Sequence, residues 1–92
     1  MKAYNEAIRY KPDFAYAYFG KGVVFANTGR DNKAVREYDK ALRYNPQYDA
    51  ALYNKALALS RLGRQKEAGE VYAKLWDDKT IAEYKKEMKE AH

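Results

Sequence analysis

Pro12 and Pro46 stand 34 residues apart in a chain of 92, and most of the residues around them keep the same spacing. Glu6-Ala7-Ile8-Arg9-Tyr10-Lys11-Pro12 lies over Lys40-Ala41-Leu42-Arg43-Tyr44-Asn45-Pro46, with alanine, arginine, tyrosine and proline coinciding. The same offset carries Lys21 onto Lys55, Gly29-Arg30 onto Gly63-Arg64, Ala34 onto Ala68 and Tyr38 onto Tyr72. A constant period of this size constrains the fold more than any other property, because such units cannot bury their apolar faces alone and must stack on one another. Stacked units present a surface to a partner instead of enclosing a catalytic centre.

Within each period the breaks are regular. Pro12, Gly29, Pro46 and Gly63 follow one another at intervals of 17 residues, so each unit divides into two segments of one helix and one turn. A first helix ends at Tyr10, before Pro12, with Ala3, Tyr4, Ala7 and Ile8 on one face. A second runs from about Ala15 to Thr28, and Gly29 supplies the left-handed residue after its end. Asp31 or Asn32 is expected to cap a third, which carries Ala34, Val35, Tyr38, Ala41 and Leu42 on one stripe. A fourth is expected from Asp49 to Leu62, and a fifth from Gln65 to Trp76, weakened by roughly 1 kcal/mol at Gly69. After Asp77-Asp78 the period fades; Thr80-Ile81-Ala82-Glu83 has the form of a capping box and opens a terminal helix with a polar outer face.

Tyr18-x-x-Lys21-Gly22-x-x-Phe25, Ala34-x-x-x-Tyr38, Ala41 and Pro46 form one series of aromatic, small and proline positions, and Leu52-x-x-Lys55-Ala56-x-x-Leu59 with Ala68-x-x-x-Tyr72 forms a second. This series resembles the tetratricopeptide repeat. The resemblance implies an all-α solenoid of antiparallel helix pairs: a half repeat at 1–12, full repeats at 15–46 and 49–78, and a capping helix at 79–92. Gly22, Ala34, Ala56 and Ala68 are small where the two helices of a unit cross. Lys21 and Lys55 stand where the family more often has leucine, and their stems can cover apolar surface. Leu75 departs from the family's alanine, and no closing proline follows it.

At about 100° per residue, Tyr16, Phe19, Val23 and Asn27 lie opposite the packing residues of the second helix, as Ala50, Tyr53, Leu57 and Arg61 do on the fourth. By resemblance, the first helix of each unit lines a concave groove that holds a peptide or helix. Tyr16, Phe19, Val23, Tyr53 and Leu57 would line it, with Asn27, Asn54 and Arg61 at its polar edge. The same residues would equally be covered by the terminal helix or by another copy of the chain. Some family members clamp the carboxylate of chaperone tails with lysine, arginine and asparagine in the groove. Phe19 and Val23 occupy two of those places and only Asn54 suits the role, which argues against that ligand class.

The first helix lacks a partner helix of its own unit, so a homo-oligomer, with or without exchanged elements, is expected for the isolated chain. A nucleic-acid binder and a purely structural fragment of a longer repeat protein are the alternatives. Net charge is +5, with nine basic and five acidic residues in 1–46 against nine and eight in 47–92, and no block of like charge. Nucleic acid is therefore not the expected partner. The sole histidine is His92 and the sole serine Ser60, so no nucleophile and base can be assembled, and Gly20-Lys21-Gly22 lacks the spacing of a phosphate loop. No catalytic residue, metal site or cofactor is expected. Cysteine is absent, no apolar run reaches membrane-spanning length, and the start of the chain lacks a signal-peptide core, so a cytoplasmic location is the expectation.

Overall fold

The computed structural model describes residues 1–75; Trp76, Asp77-Asp78 and the expected capping helix over 79–92 lie outside the described residues. Five helices follow in order: α1 Lys2–Tyr10, α2 Ala15–Asn27, α3 Asp31–Tyr44, α4 Asp49–Arg61 and α5 Gln65–Leu75. Each packs against the next, and α2 also touches α4. That is the neighbour pattern of antiparallel helix pairs stacked side by side, with α2 and α4 adjacent on one side.

Two kinds of turn alternate. After α2, Gly29 N–H donates to the Ala26 carbonyl at 3.1 Å and Arg30 N–H to that of Phe25 at 2.8 Å; after α4, Gly63 donates to Ser60 at 3.0 Å and Arg64 to Leu59 at 2.9 Å. Both are Schellman closures, in which the residue after the cap takes positive φ, here 76° at Gly29 and 80° at Gly63. After α1 and α3 the chain turns through Lys11-Pro12-Asp13-Phe14 and Asn45-Pro46-Gln47-Tyr48, with Phe14 N–H donating to Lys11 at 3.0 Å and Tyr48 N–H to Asn45 at 3.1 Å. Proline occupies the second position of each turn, where its fixed φ fits. Tyr18 Oη also donates to the Pro12 carbonyl at 2.7 Å, tying α2 to the turn before it.

The start of α3 differs from the sequence expectation. Arg30 occupies the N-cap and no side chain caps the helix. Asp31 is already helical, and its Oδ1 accepts from Arg61 Nε at 3.0 Å and Nη2 at 2.9 Å. A charge-assisted pair with α4 has taken the carboxylate that a cap would need.

The core is built from the small and aromatic positions. Ala34, Val35, Tyr38, Leu52, Ala56, Ala58, Leu59, Ala68 and Val71 are buried together. Tyr38 is 0% exposed, and its ring lies against Gly22, where a Cβ would collide with it. Gly20 serves α1 in the same manner by seating the ring of Tyr4. Small residues at these crossings let the helices approach and let the aromatic ring fill the space. Among its own residues α1 buries none.

Candidate partner-binding face

The eight residues assigned to the groove divide into three groups. Tyr16 and Tyr53 are open to solvent, at 54% and 51% exposure. Phe19 and Val23 pack against the core and are half-buried, as is Leu57. The polar edge is engaged unequally: Asn27 is exposed, Asn54 Nδ2 donates to the Ala50 carbonyl of its own helix at 2.7 Å, and Arg61 is held by Asp31. The hydrogen bond to Asp31 raises the pKa of Arg61 further, against a smaller opposing effect of desolvation.

Aromatic neighbours brace the exposed rings. Tyr4 meets Tyr16 edge-on at 6.3 Å, and Phe14 lies 5.9 Å from it. Phe19 stands between Tyr38 at 5.9 Å and Tyr48 at 5.2 Å. On α4, Tyr53 meets Tyr72 edge-on at 6.2 Å. Burial, and to a lesser extent Tyr16, push the Tyr48 phenol above the ordinary tyrosine value. Edge and offset contacts of this kind fix ring orientation. Tyr16 is therefore an exposed ring whose orientation is fixed by two aromatic neighbours.

Phe14 and Tyr48 border this face as well, although a 100° rotation along α2 and α4 does not reach them. They share the 34-residue offset and both occupy the N-cap just outside the helix, with ψ of 92° and 90°. Phe14 lies beside Tyr16 in the first turn of α2, whereas Tyr48 reaches Phe19 of α2 from the next unit. The offset alone could have paired them, but only the turn geometry shows which way they face.

Two surface cavities, of about 500 and 470 Å³, lie elsewhere, along α3 and at the turn between α2 and α3. Among the described residues no group of three histidine, cysteine or acidic side chains could hold a metal ion, and no helix is long and apolar enough to cross a membrane.

Comparison with known proteins agrees with this geometry. A family model described as TPR repeat matches residues 25–63, and one described as Tetratricopeptide repeat matches residues 2–41. No curated protein matches the chain. The two family matches run from the start of α1 to the Gly63 turn after α4, taking in both kinds of turn and the Gly22–Tyr38 crossing. The chain belongs to the tetratricopeptide repeat family.

Proposed function

We propose that the chain is a protein-interaction scaffold that receives a peptide or helix, or another copy of itself, against the face shared by α2 and α4. Members of this family are in general protein-interaction scaffolds and typically non-catalytic. The observation that carries the proposal is the pair Tyr16 and Tyr53, two large rings half open to water on helices that touch each other. Phe19, Val23 and Leu57 continue the apolar surface between them, and Asn27, Asn54 and Arg61 form its polar border. An apolar centre with a polar rim is the usual anatomy of an interface.

Tyr16 and Tyr53 serve the test better than Phe19, whose removal would also take away a ring packed on Tyr38. Pull-down with Tyr16→Ala/Tyr53→Ala as the control should lose the partner while circular dichroism shows unchanged helix content. Capture equal to that of the unaltered chain would reject the face.

Self-association is part of the same proposal. Ala3 and Tyr10 of α1 are exposed, and no residue of that helix is buried, so a second copy packing there would cover apolar area that this chain leaves in water. Light scattering across a wide concentration range should give a mass that rises above the monomer. A constant monomer mass would remove this part of the proposal.

A further inference from the structure

In the sequence of α3 the charges look balanced, with Asp31, Glu37 and Asp39 set among Lys33, Arg36, Lys40 and Arg43. Folding pairs every one of the acids but leaves several of the cations without a carboxylate among the described residues. Asp31 is bound by Arg61 of α4, and Asp39 meets Lys55 of α4 at 2.6 Å. Glu37 is buried, with Lys21 of α2 at 3.9 Å and Lys40 at 3.3 Å. All three acids are thus paired, although the Asp39 side chain stays 52% exposed and Glu37 and Asp39 share the wall of the 500 Å³ cavity with the cations. Lys33, Arg36, Lys40 and Arg43 stay exposed, and among the described residues Lys33, Arg36 and Arg43 pair with no carboxylate.

These four cations recur at three- and four-residue spacing and so form one stripe along the helix, about 15 Å long at the α-helical rise. The 500 Å³ cavity runs beside it with Phe25 in its wall, and the 470 Å³ cavity extends it to Arg30. Lys33 Nζ stands 5.7 Å from the centre of the Phe25 ring. At the other end Tyr44 stacks on Tyr18, with centroids 5.7 Å apart and planes at 21°, and remains 45% exposed. The pair Arg43-Tyr44 repeats one unit earlier as Arg9-Tyr10, where Tyr10 is 89% exposed. Neither tyrosine belongs to the core.

We propose that the exposed side of α3 binds single-stranded nucleic acid, with Lys33, Arg36, Lys40 and Arg43 taking phosphates and Tyr44, followed by Tyr10, stacking bases. A cationic track beside aromatic platforms is the arrangement such ligands need. An acidic protein helix would use the same cations but would leave the two exposed tyrosines without a purpose. The site is short. One unit later Glu67 and Glu70 replace Lys33 and Arg36, and a phosphate there meets repulsion. This side does not include Tyr16 or Tyr53, so the proposal stands or falls separately from the apolar face.

Fluorescence anisotropy of labelled oligouridylate and oligothymidylate, about 12 nucleotides long, tests it with the full chain between about 25 and about 200 mM salt. Neutralising three or four phosphates should give a slope of log affinity on log salt of about −2 to −3. Arg36→Glu/Arg43→Glu should weaken binding at least about tenfold and flatten the slope, since two phosphate contacts are lost. Tyr44→Ala should weaken it about tenfold with the slope unchanged. Tyr53→Ala should bind as the unaltered chain does. Absence of binding at the lowest salt overturns the proposal, as does a charge-reversed chain that binds equally well. Poly-glutamate bound as tightly as the oligonucleotides, with Tyr44→Ala indifferent to both, would assign the stripe to an acidic protein instead.

Discussion

The α2–α3 and α4–α5 units share one signature at a 34-residue offset, yet equivalent residues do different work. Tyr38 is fully buried between α2 and α4, whereas Tyr72 is half-buried and meets Tyr53 edge-on. Gly22 has no room for a Cβ beneath Tyr38, while its counterpart Ala56 carries one inside the core. Phe19 is packed; its counterpart Tyr53 faces water. α3 is flanked by helices on both sides, and among the described helices α5 packs only on α4. A repeat signature therefore specifies the crossing within a unit, and the place in the stack decides how deeply each ring is buried.

The largest effect should come from the tyrosine pair. Tyr38→Ala is expected to cost about 4 kcal/mol, the usual scale for emptying an aromatic site in a core, and Tyr72→Ala about 1–2 kcal/mol. Urea denaturation of the two variants measures this directly, and equal losses would break the contrast between the units. Next comes Gly22→Ala. Its Cβ would drive into the Tyr38 ring, so a loss of about 2 kcal/mol is expected in spite of alanine's better helix propensity. A neutral outcome would mean that Tyr38 can shift as easily as Tyr72.

Gly69 sharpens the comparison from the other side. Among the described residues a Cβ there meets nothing within 4 Å, and the position is helical, so Gly69→Ala should stabilise the chain by about 1 kcal/mol. Thermal unfolding with an unchanged or lower midpoint would show that α5 needs this glycine for a contact outside the described residues.

The smallest effect concerns alkaline pH. Tyr18, Tyr38 and Tyr48 titrate above the ordinary tyrosine value of about 10, each chiefly because burial penalises the phenolate. With the folded pKa raised, the contribution to stability is complete below about pH 10 and is lost as pH rises through the folded values. Tyr38 is buried with its hydroxyl unpaired among the described residues. Tyr38→Phe should therefore be close to neutral at pH 7 and should lessen the loss of stability above about pH 10, by at most about 1.4 kcal/mol per pH unit. Urea midpoints on either side of pH 10 would reveal it; identical profiles for both chains would exclude Tyr38 as a contributor.

Much of the fold was legible because its determinants are local. Proline and glycine at 17-residue intervals placed all four described turns, and both ends of α2 and α4 fall within about one residue of expectation. The candidate face was legible in outline only. A 100° rotation per residue separates the two sides of α2, but it cannot tell that Phe19 leans on Tyr48 while Tyr16 stays in water, since Tyr48 comes from the next unit. Asp31 misled for a related reason. As a sequence it is a cap, and its actual partner, Arg61, lies 30 residues away on α4.

The repeat, the alternation of proline and glycine turns, and the small residues that allow each pair of helices to cross are all written in the order of residues along the chain. These depend on backbone preferences and on spacings within one unit. Which copy of a tyrosine is buried, which aromatics remain open on α2 and α4, and where the acids of α3 are engaged follow from the stacking of the helices alone. Those outcomes depend on side chains brought together from different units: the acids of α3 find cations on α2 and α4, while Lys33, Arg36 and Arg43 have no carboxylate partner among the described residues.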